Sequence, residues 1–119
     1  ISSVQSDSQV ILVDCITLWL TNLFTDLDGD AELTLADAKA ELDRLFARQD
    51  KNWILVSNEI GMGLHAESTV GRKFTDLQGF TNQYIAKRAE RVIFMVSGLP
   101  LVIKDESKPN SLPGDASAS

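Results

Sequence analysis

The sequence predicts an α/β fold with a mostly parallel sheet flanked by helices. Three short apolar runs, at residues 10–13, 53–56 and 92–96, are continuous rather than alternating, which is typical of strands covered on both faces. Apolar residues at helical spacing lie between these runs. The expected order of elements is β-α-α-β-α-β-β. Strands that alternate with helices usually pair in parallel, so most of the sheet is expected to be parallel.

The first half of the chain is predicted to contain one strand and two helices. Residues 10–13 form the strand, and apolar residues at spacings of three and four predict a helix over 16–27. An acidic segment around Gly29 predicts a turn. Thr34 and Asp37 resemble a capping box, in which side chains accept hydrogen bonds from the free N–H groups of a helix start. This pair predicts that the second helix begins at Thr34.

The second half is predicted to add one helix and three strands. The expected elements are a strand at 53–57, a helix at 70–89, a strand at 92–96, a short edge strand at 101–103 and a disordered tail at 105–119. Gly79 interrupts the helix at a cost of about 1 kcal/mol relative to Ala. Close packing or a bound ligand is the expected reason for a glycine at that position.

Charge and composition exclude some classes of function. The net charge is −6 and the basic residues are dispersed, whereas an extended nucleic-acid surface needs a basic face. No apolar run approaches the roughly 18 residues of a membrane span. The single cysteine, Cys15, excludes an intrachain disulfide and favours a cytoplasmic protein. A phosphorylated small molecule remains compatible, because backbone N–H groups and a metal can meet its charge.

Asp14 is the first candidate for a catalytic residue. It ends an apolar strand, as does the acidic residue that holds magnesium in P-loop enzymes. Mg²⁺ keeps much of its water shell, so a single carboxylate at a strand end can suffice. A loop-capping role is the alternative, since an acidic residue after an apolar strand is common.

A second candidate segment follows the strand at 53–57. Glu59 could orient a nucleophile or bind a ribose hydroxyl, and Gly61 and Gly63 would let the backbone approach a phosphate. A tight turn is the alternative. His65 is the only histidine, and we expect a surface role for it. Neither G-x-G-x-x-G nor G-x-x-x-x-G-K-S/T occurs in the sequence.

Three segments in order resemble one enzyme family. They are VILVDCITLWLTNLF at 10–24, WILVSNEIGMGL at 53–64, and GRKFTDLQGFTNQYIAKRAERVIFMVSGLPLVIK at 71–104. Their combination is more specific than any one of them. The chain resembles the C-terminal part of the bifunctional adenosylcobinamide kinase/adenosylcobinamide-phosphate guanylyltransferase family, and 1–104 would then be part of a single nucleotide-binding domain.

The resemblance implies a RecA-like P-loop fold, a cytoplasmic homotrimer and two linked reactions. The first phosphorylates a hydroxyl of adenosylcobinamide with GTP or ATP and Mg²⁺. The second transfers GMP from GTP, through a guanylylated histidine, to give adenosylcobinamide-GDP in cobalamin assembly. By match to the family's motifs, the implied catalytic residues are Asp14, which also holds the metal, and Glu59. The implied nucleotide- or substrate-binding residues are Asp14, Asn58, Gly61, Gly63, Arg72, Asp76 and Asn82; Gly79 and Gln83 also match the helix motif.

The chain also departs from the family pattern. The family has Val-Pro where this chain has residues near Leu64–Ala66, and an arginine where this chain has Thr75. His65 does not correspond to the family's guanylylated histidine. The chain starts at Ile1 without the phosphate loop, so we expect a fragment that is inactive alone. A non-catalytic binding or assembly module and a kinase of another P-loop family are the rival interpretations. A phosphate loop and a histidine upstream of Ile1 would favour the enzyme.

Overall fold

The computed structural model describes residues 10–48, 50–59 and 68–106. The elements in these ranges are β1 (Val10–Asp14), α1 (Ile16–Asp26), α2 (Ala31–Phe46), β2 (Asn52–Val56), α3 (Thr69–Arg88), β3 (Arg91–Val96) and β4 (Leu99–Asp105). This order confirms the predicted β-α-α-β-α-β-β succession and a mixed α/β fold. The chain divides into two compact units, Ile1–Tyr84 and Ile85–Ser119.

The first unit contains a two-stranded parallel sheet. Strands β1 and β2 pair in parallel, with Val10 opposite Asn52 and Asp14 opposite Val56. The parallel pairing predicted for these strands is therefore confirmed. Because the two strands run in the same direction, their carboxyl ends lie at one edge of the sheet, and the segment after β2 starts beside Asp14.

One face of this sheet is covered and the other is not. Ile11 and Val13 are buried at 4% exposure, whereas Val10, Leu12 and Ile54 are about half exposed, at 50%, 57% and 52%. The prediction that β1 is covered on both faces is wrong for the described residues. An uninterrupted apolar run shows that both faces can be buried, but the burial depends on which other segments pack there.

The core of the first unit lies between the sheet and the three helices. Its buried apolar residues are Ile11, Val13, Ile16, Leu20, Phe24, Ala38, Leu42 and Leu77. The Phe24 and Phe74 rings meet edge to face, with centroids 5.5 Å apart. The Tyr84 hydroxyl donates a hydrogen bond to the Asp43 carboxylate, and the Lys39 ammonium lies 5.2 Å from the centre of the Tyr84 ring. These contacts fix α3 against α1 and α2.

The second helix begins three residues earlier than predicted. Asp30 is its N-cap, and the Asp30 carboxylate accepts a hydrogen bond from the Leu33 backbone N–H at 3.0 Å. Thr34 is fully buried, and its hydroxyl donates to the Asp30 carbonyl at 2.7 Å. The predicted capping box of Thr34 and Asp37 is therefore wrong, because the aspartate that ends the preceding turn already satisfies the start of the helix.

The second unit contains an antiparallel hairpin. Strands β3 and β4 pair from Val96 opposite Leu99 to Arg91 opposite Asp105. The two residues between them, Ser97 and Gly98, both have positive φ, at 52° and 77°, as a tight hairpin turn requires. A two-residue connection can join only antiparallel strands, so the expectation of a mostly parallel sheet holds for the β1–β2 pair alone.

The hairpin extends beyond the predicted strands and is exposed. Strand β4 includes Asp105, which was placed in the predicted tail, and residues 107–119 lie outside the described residues. Ile93 and Met95 are 43% and 58% exposed, so the prediction of a buried third strand is wrong for the described part of the chain. In the same ranges, no helix is long and apolar enough to cross a membrane.

Candidate functional site

Polar side chains gather where the parallel strands end. Open α/β sheets place their ligands beyond the carboxyl ends of the strands. Asp14 ends β1 and is exposed there. It lies opposite Val56, and residues 57–59 continue from that point as an irregular segment. The register of the two strands therefore brings Asp14 and the segment after β2 to the same end of the sheet.

A hydrogen-bonded network joins this segment to α3. The Asn82 Nδ2 donates to the Asn58 carbonyl at 3.0 Å, and the Ser57 hydroxyl donates to Asn82 Oδ1 at 2.6 Å. Gln78 Nε2 donates to Ser57 Oγ at 2.9 Å and to Asn82 Oδ1 at 3.0 Å. The Asn58 backbone N–H donates to the Thr17 hydroxyl of α1 at 3.3 Å. The segment after β2 is therefore held by both helices.

A cavity of about 240 Å³ opens beside this network. Its walls are formed by Glu59, Thr75, Asp76, Gly79, Phe80 and Gln83. All but Glu59 lie along one side of α3, at helical spacing. Two carboxylates accept hydrogen bonds from hydroxyl or amine groups of a ligand, and Phe80, which is 53% exposed, offers an apolar surface. The lining suits a ligand with several hydrogen-bond donors.

Gly79 opens the middle of this wall. A Cβ placed on Gly79 would have no atom within 4 Å, so close packing among the described residues does not explain the glycine. The packing explanation offered by the sequence is therefore wrong for this part of the chain. The glycine leaves space on the cavity side of α3, although it destabilises the helix by about 1 kcal/mol relative to alanine.

We expect Gly79→Ala to raise the free energy of unfolding by about 0.5–1 kcal/mol, because alanine favours the helix and its Cβ meets open space. Gly98→Ala is the matched control. Its Cβ also has no atom within 4 Å, but the backbone φ is +77°, so alanine should destabilise the hairpin. Chemical denaturation of both variants measures the difference. A destabilised Gly79→Ala protein would mean that the wall is already filled.

The remaining candidates from the sequence fall in different places. Arg72 is exposed in the first turn of α3, where its guanidinium contacts the Thr69 hydroxyl at 3.4 Å, and it does not line the cavity. Asp14 does not line it either. Gly61 and Gly63 lie outside the described residues. The structure thus brings together Asn58 with Asn82 in one network, and Glu59 with Asp76 in one cavity.

Asp14 presents an exposed carboxylate, a group that can bind a magnesium ion, at the end of β1. In the described ranges, no group of three or more His, Cys, Asp or Glu side chains is arranged to bind a metal. Mg²⁺ is commonly held by one or two carboxylates, with phosphate oxygens and water as its other ligands. A single carboxylate such as that of Asp14 would bind Mg²⁺ in this way only if the phosphates of a nucleotide supplied further oxygen ligands.

Three residues of the network were not singled out as site residues from the sequence: Thr17, Ser57 and Gln78. A signal existed for Gln78, because it lies next to Leu77 and four residues after Phe74, on the apolar side of the predicted helix at 70–89. It is fully buried in the structure, and a polar residue in such a position usually has a hydrogen-bonding partner to satisfy. Sequence spacing does not identify that partner, since Ser57 is 21 residues away.

Comparison with known proteins identifies close relatives. Residues 1–103 match the model of the family described as cobinamide kinase / cobinamide phosphate guanyltransferase. The bifunctional adenosylcobalamin biosynthesis protein CobP of Pseudomonas aeruginosa is 43% identical over 101 residues, which cover 81% of this chain and 54% of the relative. The bifunctional adenosylcobalamin biosynthesis protein CobU of Escherichia coli is 36% identical over 107 residues, which cover 82% of this chain and 59% of the relative.

The Salmonella typhimurium CobU is also 36% identical, over 79% of this chain and 58% of its own length. The chain therefore spans somewhat more than half the length of the curated relatives it matches. The matched region includes every described element except the last residues of β4.

Proposed function

The chain belongs to the cobinamide kinase/cobinamide phosphate guanyltransferase family, and from this premise we propose that it forms part of a bifunctional enzyme of cobalamin biosynthesis. The enzyme would phosphorylate adenosylcobinamide and then transfer GMP from GTP to the product, giving adenosylcobinamide-GDP. The observation that supports a ligand site in this chain is the cavity at the end of the parallel strands, where Glu59 and Asp76 face the same space.

The first reaction is a phosphoryl transfer to a hydroxyl group. The hydroxyl oxygen of the corrinoid attacks the γ-phosphorus of GTP or ATP, the bond to the β-phosphate oxygen breaks, and the hydroxyl proton leaves. Glu59 would accept that proton or orient the hydroxyl, since it lines the cavity on the side of the strand ends. Proton transfer by a positioned carboxylate contributes typically 10²–10⁴-fold to a rate.

Asp14 would hold the magnesium ion. A bound Mg²⁺ neutralises charge that develops on the transferred phosphoryl group. The exposed position of Asp14 at the carboxyl end of β1 supports this role, because a carboxylate there can approach a nucleotide without being buried in the core. Asn58 and Asn82 would shape the same edge, since the Asn82 side chain fixes the Asn58 carbonyl.

The other candidates would bind substrate. Asp76 would accept hydrogen bonds from donors of the ligand in the cavity, and Arg72, Gly61 and Gly63 would contact nucleotide phosphate or corrinoid. The second reaction transfers GMP from GTP, by way of a guanylylated histidine, to a phosphate oxygen of the corrinoid, with release of pyrophosphate. His65 does not correspond to that histidine. We propose that this chain alone catalyses neither step.

The fold and assembly proposed for the complete enzyme follow from the family. They are a RecA-like P-loop fold, in which 1–104 is the C-terminal part of a single nucleotide-binding domain, and a homotrimer in the cytoplasm. The parallel β1–β2 pair, whose buried residues share a core with residues of the helices, is compatible with such a fold. The exposed face of β1 is where further parts of the sheet or its flanking helices would pack.

The test uses a full-length form of the enzyme, meaning this chain together with the remaining length that its relatives have. With adenosylcobinamide, GTP and Mg²⁺, we expect mass spectrometry to detect the corrinoid phosphate and then adenosylcobinamide-GDP. A protein that binds the corrinoid without changing it would favour a binding or assembly module. Phosphorylation of a different acceptor only would favour a kinase of another P-loop family.

A further inference from the structure

Gln78 is the most deeply buried member of the network at the end of β2. Its side chain is completely buried, and both of its hydrogen bonds are donated by Nε2, to Ser57 Oγ and Asn82 Oδ1. Its Oε1 has no hydrogen-bond partner among the described residues. A buried acceptor without a donor destabilises a fold, so the glutamine is a poor choice for stability alone.

The direction of every hydrogen bond in the network follows from one backbone carbonyl. The Asn58 carbonyl can only accept, so Asn82 must present Nδ2 to it. Asn82 Oδ1 then faces the other way, where it requires donors. Ser57 has a single hydroxyl proton, which it donates to Asn82 Oδ1, and this leaves Ser57 Oγ to accept.

Gln78 supplies the two donors that complete this arrangement. One Nε2 proton goes to Asn82 Oδ1 and the other to Ser57 Oγ. With both protons used, the polar atoms of Ser57, the Asn82 side chain and the Asn58 carbonyl are matched donor to acceptor, whereas Gln78 Oε1 has no donor among the described residues. Rotating the Asn82 amide by half a turn would set its Oδ1 against the Asn58 carbonyl and its Nδ2 against Gln78 Nε2. Gln78 therefore reinforces the orientation of the Asn82 amide that the Asn58 carbonyl requires, because Gln78 Nε2 can donate only to the oxygen side of that amide.

We infer that Gln78 is a positioning residue, which acts through Asn82 to hold the Asn58–Glu59 segment at the rim of the cavity. Asn58 is bonded by its carbonyl to Asn82 and by its N–H to Thr17, and Glu59, the next residue, lines the cavity. A rotation of the Asn82 amide would release the Asn58 carbonyl and move Glu59. The expected effect on catalysis rests on the proposed function, whereas the effect on the segment does not.

Two variants separate positioning from mere filling of the core. Gln78→Met keeps the length of the side chain and removes both donors together with the unpartnered Oε1. Gln78→Glu keeps the shape but presents only acceptors when ionised, so it opposes Asn82 Oδ1. Thr81→Val is the control, since Thr81 is buried on the same helix. Among the described residues, the Thr81 hydroxyl donates to the Leu77 carbonyl within that helix and takes no part in the network.

The first measurement is NMR of this chain, with the Asn82 side-chain amide and the Asn58 backbone amide as reporters. We expect Gln78→Met to melt within a few degrees of the parent, with faster hydrogen exchange at both reporters. Gln78→Glu should perturb both reporters more strongly. Thr81→Val should leave them unchanged. Unchanged reporters in a folded Gln78→Met or Gln78→Glu protein would overturn the inference.

The second measurement is steady-state kinetics of the full-length enzyme. Misplacement of a catalytic group by about 1 Å can lower a rate by as much as roughly a hundredfold, and we expect Gln78→Met to lower kcat about tenfold with a smaller change in KM. A parent enzyme without activity would contradict the proposed function and leave the NMR result to decide on positioning. An active parent and an equally active Gln78→Met variant would contradict the positioning role.

Discussion

Asp14→Asn is expected to lower the phosphorylation turnover of the full-length enzyme by roughly a hundredfold or more, equivalent to about 2.7 kcal/mol of transition-state stabilisation. The amide keeps the size of the side chain but loses the charge that would hold Mg²⁺. Asp14→Glu keeps the charge on a longer side chain and should retain part of the activity. Because Asp14 is exposed at the end of β1, neither change should move the melting temperature much.

Asp26→Asn is the matched control for this prediction. Asp26 is also an exposed aspartate at the end of an element, the last residue of α1, and it has no proposed role at the site. Its replacement should leave turnover within a factor of about two. Near-normal turnover of Asp14→Asn at limiting magnesium would make Asp14 a structural cap of the loop, and the metal assignment would be wrong.

Glu59→Gln is expected to lower turnover by roughly a hundredfold, because the amide neither accepts the proton of the attacking hydroxyl nor orients it as a carboxylate does.

Asp76→Asn is expected to raise KM more than it lowers kcat, because Asp76 would bind the ligand equally in the ground state and in the transition state. Both residues line the same cavity, so the comparison separates catalysis from binding within one site.

The control for Glu59 is Glu90→Gln. Glu90 is exposed and lies in the other compact unit, just before β3. Steady-state kinetics should show no change for this variant. If Glu59→Gln and Glu90→Gln behave alike, the carboxylate after β2 takes no part in the reaction.

Element type and order were predictable from the sequence because they depend on local patterns. Apolar runs of four or five residues and helical spacing between them identified the strands and helices, and the parallel pairing of β1 with β2 followed from the helices between them. The start of α2 was not predicted, because Asp30 and Thr34 are both good caps. The choice between them depends on the turn before the helix, where Asp28 and Gly29 take positive φ.

Burial was less predictable than secondary structure. The runs at β1 and β3 are apolar throughout, yet Leu12 and Met95 are 57% and 58% exposed. A strand's own residues show what it can bury and do not show which segment packs against it. The succession of two strands at the end was predicted, but their antiparallel pairing depends on the two-residue turn at Ser97 and Gly98.

The site was predictable in part, through residues that belong to recognisable motifs. Glu59 and Asp76 were singled out from the sequence, and the structure brings them to one cavity. Their separation of 17 positions along the chain gave no indication of that proximity. Gln78 was missed because its role depends on the donor and acceptor pattern of Ser57 and Asn82 in space, which no spacing along the sequence expresses.

The most direct test of the account follows the phosphorus atoms of GTP through the full-length enzyme with adenosylcobinamide and Mg²⁺. GTP labelled at the γ-phosphate and GTP labelled at the α-phosphate are used in separate reactions. With the γ-label, we predict that the corrinoid phosphate and the final adenosylcobinamide-GDP are both labelled. With the α-label, we predict that only adenosylcobinamide-GDP is labelled. An unlabelled corrinoid in the γ-labelled reaction, or a final product without label in the α-labelled reaction, would contradict the proposal of a bifunctional kinase and guanylyltransferase.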